Sequence, residues 1–311
     1  MSSRRAPLLV TILLGLTVLW GCSDNSVNPQ SQAAGEEAAI TGTLAALPEF
    51  MDDGLFDTPD QTLLAPSLRD AGEVAAAPKE AIEPFVFWRA ITARSRRFEF
   101  AFADSDSTGR PTTAIVTVHR RFTGTFNILP RDPNAPTVAD RSGAIAKPLD
   151  DHWVRRLLLK RIRLGDETRG RWRLAAASGV SVTSAEATSE IESIRVETAT
   201  QDTTLTDPLA FVFLRRMLRF APEDSVTLTV TTPRADDVVL LYHREHRGRF
   251  RNNGDGTYTA RLRAGHLAGW RHFGVNVLSH GTLFDDAAPY DSKAWIFPYV
   301  VLPGPTAEYL P

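Results

Sequence analysis

Asn252-Asn253-Gly254-Asp255-Gly256-Thr257-Tyr258-Thr259-Ala260 is the stretch whose reading decides the fold. Asn, Asp and Gly in close succession supply the positive-φ positions of a tight hairpin. The alternation that follows puts Tyr258, Ala260 and Leu262 on one face of a strand. A β-branched residue at Gly256 would be strained if the turn holds it at positive φ. Outward from the hairpin the pattern repeats. Residues 225–231 alternate Val226, Leu228 and Val230, residues 238–243 are apolar on both faces, residues 273–279 repeat with Val275 and Val277, and residues 293–301 close the set. Short strands joined by turns predict a β-sandwich.

Residues 253–260 resemble the corresponding hairpin of bacterial immunoglobulin-like and filamin-like repeats, and Gly269-Trp270-Arg271-His272-Phe273-Gly274-Val275-Asn276-Val277 fits their next strand. The resemblance spans residues 220–302 and implies one immunoglobulin-like β-sandwich. It implies nothing about a ligand. With Pro208 and Pro222 flanking the junction, this unit is expected to fold alone.

Upstream, Phe98, Phe100 and Phe102 alternate with Arg97, Glu99 and Ala101, the period of a half-buried strand. A β-rich run over 112–128 carries Ala114, Val116 and Val118 on one side and Gly124 as a bulge or bend. Residues 130–148 read as an irregular loop, 153–164 as a strand or a helix, 171–177 as a strand, and 191–196 alternate again. Helical spacing of Leu44, Leu47, Phe50 and Met51, and of Leu55, Phe56, Leu63, Leu64 and Leu68, predicts short helices. Short helices before long strands are similar to the cone-shaped fold of the nuclear-transport-factor-like superfamily over about residues 45–200, which implies a pocket and no particular job for it. The fold class is therefore mainly β, with an α+β N-terminal domain and a C-terminal immunoglobulin-like β-sandwich.

The N-terminus supplies the address. Arg4 and Arg5, an apolar run from Leu8 to Leu19, and Gly21 before Cys22 have the layout of a secretory signal. The run is too short to span a bilayer, which takes roughly 20 apolar residues. Leu19-Trp20-Gly21-Cys22 resembles a bacterial lipoprotein signal, in which the cysteine becomes the acylated N-terminus, although Trp20 departs from the small residue usual there. The resemblance implies a lipid-anchored envelope protein, and Ser23 implies sorting to the outer membrane. Cys22 is the sole cysteine, so no intramolecular disulfide forms. The expected division is a signal peptide (1–21), a polar flexible tether (22–43), the α+β domain (44–205), a junction (206–219), the sandwich (220–302) and a tail (303–311).

A net charge of -2 and 43% hydrophobic residues describe a globular chain with no overall pull toward nucleic acid. Chemical motifs are sparse. Residues 104–109 open like a calcium loop, but the closing position is Ile115, so a hairpin turn accounts for them better. His243 and His246 would face opposite ways on a strand. Asp150, Asp151 and His152 are neighbours that cannot readily face one another, and His119, His266, His272 and His280 stand apart. No nucleotide, zinc-protease or serine-hydrolase motif occurs. No cofactor or metal is expected. The basic residues Arg155, Arg156, Lys160, Arg161 and Arg163 form a candidate patch for an anionic lipid, a polysaccharide or an acidic partner protein, or pair with the acidic segment before residue 82. The leading expectation is binding or scaffolding in the envelope without catalysis. The rival is a periplasmic enzyme or small-ligand binder with a pocket in 44–205 lined by Trp88, Trp153 and Trp172, aromatics that a filled core would equally explain.

Overall fold

A computed structural model describes residues 29–51, 63–64, 82–131, 141–163, 170–243 and 246–302. Cys22 lies outside them, as do residues 52–62 and most of the remainder of the acidic segment. The chain opens with helices α1 (Pro29–Ala45) and α2 (Pro48–Met51) and a two-residue strand β1 (Leu63–Leu64). Four long strands follow: β2 (Pro84–Ser105), β3 (Pro111–Pro130), β4 (Ile145–Ile162) and β5 (Arg171–Ser184). The rest is β6 (Ser193–Glu197), β7 (Asp202–Leu205), β8 (Val212–Phe213), β9 (Leu218–Phe220), β10 (Ser225–Thr231), β11 (Val238–His243), β12 (His246–Arg249), β13 (Arg251–Asn252), β14 (Thr257–Arg263), β15 (Gly269–Leu278), helix α3 (His280–Phe284) and β16 (Ser292–Val301).

Two sheets result. The larger runs β1-β2-β3-β4-β5-β16-β15-β11-β12, with β8 on β5 and β9 on β16, and the smaller runs β13-β14-β10-β6-β7. Pairing is antiparallel except between β9 and β16. The hairpin at 252–257 forms as its residues dictate: Gly254 and Gly256 sit at φ 86° and 82°, and the Asp255 carboxylate accepts from the Thr257 amide at 3.0 Å. Val226, Leu228, Val230 and Tyr258 of the smaller sheet meet Val239, Leu241, Val275, Val277, Phe297 and Tyr299 of the larger one in a single core, so the two sheets face each other as a sandwich.

The opposite face of β11, β15 and β16 is buried too. Val238, Leu240, Ala294 and Ile296 join Val116, Val118, Trp153, Leu157, Val180 and the helical Ile40, Leu44 and Phe50 in a second core. That is why β11 is apolar on both faces: it is covered from both sides.

Four expectations need correction. The sandwich does not begin at residue 220. β6 and β7 pair onto β10 from within the stretch assigned to the first domain, and β16 pairs with β5 over Lys293–Thr183 to Ile296–Val180. A fragment of 220–302 would lose two of the five strands of one sheet and a neighbour of the other, because alternation marks strands but not partners. The polar tether does not run to residue 43, since Ala33, Ala34, Ala38 and Ala39 favour helix and Ile40 and Leu44, four residues apart, are buried at 0% and 1% exposure. The helical spacing around 55–68 gives way at Leu63 and Leu64, which pair with Phe87 and Val86. The remainder of that stretch lies outside the described residues. The 153–164 ambiguity resolves as strand, and β4 starts at Ile145, inside the stretch read as loop.

One irregularity positions the site. β2 and β3 shift register between Ile91 and Ala93, leaving Thr92 as an extra residue beside Gly124, which pairs with Ile91. Before this bulge the odd-numbered Phe87 faces the second core. After it the even-numbered Phe98, Phe100 and Phe102 do. The bulge therefore places Arg94 and Arg96 on the same face as the phenylalanine row.

Candidate ligand groove

Helices α1 and α2 lie over that face, and the space between them and β2–β3 is a groove of about 550 Å³. Thr41, Leu44, Ala45, Pro48 and Met51 line one wall, and Arg94, Ser95, Arg96, Phe98, Arg120 and Phe122 the other. Its size is that of an ordinary small-molecule site. Three guanidinium groups and no carboxylate occur among the described lining residues.

The roof is fastened at both ends. Glu36 of α1 accepts a hydrogen bond from Trp172 Nε1 at 2.9 Å and forms an ion pair with Arg161. Arg155, fully buried, donates from Nη1 to the Phe50 carbonyl at 2.6 Å, satisfying a carbonyl at the end of α2 that has no partner within the helix. Phe50 meets Trp270 edge-on at 5.0 Å. The floor is ordered by cross-strand pairing. Arg94 is opposite Phe122, and Arg96 is opposite Arg120, which in turn is opposite Trp153. The Arg120 guanidinium lies over the Trp153 ring at 4.8 Å, and its side chain is only 8% exposed.

The five residues of the expected basic patch do not form one. β4 alternates, so Arg155 points into the core while Arg156 lies over Phe211 on the other face at 4.7 Å. Lys160 is exposed, Arg161 turns back to Glu36, and Arg163 pairs with Asp106 at 2.9 Å. The expected pairing with acidic residues before position 82 holds for Arg161 alone of the five among the described residues. Trp88 sits in a small cluster with Val86 and Leu129, and Trp153 and Trp172 belong to the second core, so none of the three lines the groove. The groove arginines escaped sequence reading because Arg94-Ser95-Arg96-Arg97 precedes the alternating segment. Continuing the period back from Phe98 would have selected Arg96 and Arg94.

The other ionisable groups are engaged structurally. Asp151 and Arg89, 1% and 3% exposed, form an ion pair beneath β2 and β4, and the Tyr290 hydroxyl donates to the same carboxylate at 3.3 Å. Burial pushes the Tyr290 phenol far up. Burial pushes Asp237 up to about 6 although Arg234 Nε lies 3.1 Å away. Asp291 accepts from the Thr188 and Ser189 amides, each at 3.0 Å, and these bonds hold it below the usual carboxylate range against its burial. Asp106 takes the Thr108 amide and hydroxyl and the Arg110 amide, an Asx turn that uses the carboxylate fully and holds it at about 2. Asp150 and His152 do face away from Asp151, as strand geometry requires: Asp150 pairs with Arg121. His152 stacks on His119 at 5.4 Å, so His119 does not stand apart, and burial first and then His119 lower the His152 imidazole. His243 and His246 are direct cross-strand partners in the register of β11 and β12, and His243 bonds the Tyr299 hydroxyl at 2.6 Å. Among the described residues no group of three or more His, Cys, Asp or Glu is placed to hold a metal ion.

No family model, curated protein or solved structure matches this chain.

Proposed function

We propose that this chain is a lipid-anchored protein of the bacterial cell envelope, acylated at Cys22, that binds a small molecule in the α1–α2/β2–β3 groove. The groove carries the reading. It is amphipathic, roofed by fastened helices and lined by three arginines beside apolar side chains. The signal-like N-terminus supports the address, and no described helix is long and apolar enough to cross a membrane. The short helices above long strands support an α+β first unit, and the sandwich is read as immunoglobulin-like from the hairpin at 252–257 and its two facing sheets. In this reading it serves as a scaffold.

Ala45 is exposed and lines the groove, so Ala45→Trp would fill the space without entering the core. Wild-type protein taken gently from its own envelope should carry a non-covalent small-molecule adduct in native mass spectrometry, and Ala45→Trp should lose it with an unchanged melting temperature. A wild type without adduct, or an adduct that survives the tryptophan, contradicts the binding role.

A further inference from the structure

We infer that two copies of this chain join along the outer edge of β2, antiparallel and centred on Phe98. Among the described residues that edge is paired only at Val86 and Phe87, by β1, so residues 95–103 lie on an open side of the larger sheet. An open edge is a row of amides and carbonyls that templates another strand. This one is regular, since β2 pairs with β3 on its other side without a register shift from Ala93 to Ala103. It also carries Phe98, Phe100 and Phe102, half-buried at the margin of the second core, with successive ring centroids 6.1 and 6.5 Å apart. A strand added beside them covers the carbon surface they still expose.

Symmetry and charge select the register. Copies joined edge to edge about a two-fold axis run antiparallel with like faces on the same side, so each residue stands opposite one of its own parity. Centring the axis on Arg97 sets two arginines opposite each other, and centring it on Glu99 does the same with two glutamates. Centred on Phe98, Arg97 of each copy faces Glu99 of the other on the outer face, and Arg96 faces Phe100 on the inner one. Opposite charges directly across strands stabilise a pairing and like charges oppose it, while a guanidinium is attracted to an aromatic face. Arg97 and Glu99 are 71% and 62% exposed and 3.9 Å apart within one copy, a weak contact that a cross-strand pair can replace. His119 Nε2, 3.3 Å from the Glu99 carboxylate, holds that carboxylate on the outer face. Charges that guard an edge against indiscriminate pairing here admit a second copy in one alignment.

Sedimentation of the intact protein in density-matched detergent should show a reversible dimer. Arg97→Glu and Glu99→Arg should each weaken it on the order of tenfold, because each makes both symmetry-related pairs repulsive. Combining the two substitutions should restore it, with circular dichroism checking that every variant folds. The register is read by oxidising a mixture of the Arg97→Cys and Glu99→Cys proteins. Peptide mapping should find a disulfide between position 97 of one copy and position 99 of the other, and no 97–97 or 99–99 bond in either protein alone, since only directly opposed residues bring their Cα atoms within about 4.5–5.5 Å. A monomeric wild type, single variants no weaker than wild type, a double variant that fails to recover, or bonds at other positions would overturn the inference. A monomer whose outward amides over 95–103 resist hydrogen exchange would assign the edge to the chain's own residues 52–62, which connect α2 to β1, and would overturn it equally.

Discussion

Asp151→Leu is expected to destabilise the protein by about 3–5 kcal/mol, and Arg89→Met by a similar amount, because each removes the buried ion pair and leaves the other charge buried. Both side chains are almost completely inaccessible, so water cannot take the place of the missing partner. The double variant should recover most of the loss. Removing both charges eliminates two desolvation costs together, and apolar replacements of similar volume fill the space. Denaturant unfolding of the wild type, the two singles and the double closes a thermodynamic cycle with a large coupling energy. Additive losses would mean that the two residues do not act as a pair.

The second large effect is at Gly124. A Cβ there overlaps the Ala90 carbonyl oxygen and stands 3.0 Å from Ile91 Cα, and both obstacles are backbone. Gly124→Val should cost more than about 3 kcal/mol, since no side-chain rotation relieves the clash. A loss below about 1 kcal/mol would show that the strands separate freely here. The bulge beside Gly124 also sets which residues of β2 face the helices, so a folded variant should bind the groove ligand poorly.

These positions show how far the sequence can be read. Alternation exposed Val226, Leu228, Val230, Tyr258 and Leu262 as one buried face, and the Asn-Gly-Asp-Gly turn exposed the hairpin, because both signals are local. Partnership is not local. That β16 joins β5, and that β6 crosses to β10, depends on how whole strands stack, and no period in the chain records it. The basic run after Trp153 looked like a patch because it was read as a block, whereas a strand divides it between two faces. The groove needed three elements at once: the Ile40/Leu44 spacing of α1, the arginines before Phe98, and a bulge that aligns their parity with the core. Each trace is present in the chain, and only the fold brings them together.

The proposed reading carries the sheet and its groove on an acylated Cys22 at a membrane. Several acyl chains contribute about 0.8 kcal/mol per buried CH₂, enough for firm anchoring where one chain would not suffice. Mass spectrometry of the mature N-terminus, on protein partitioned between detergent and aqueous phases from the native organism, tests it most directly. The prediction is a chain beginning at Cys22, bearing acyl masses and found in the detergent phase. An unmodified N-terminus downstream of Cys22, with the protein in the aqueous phase, would contradict it.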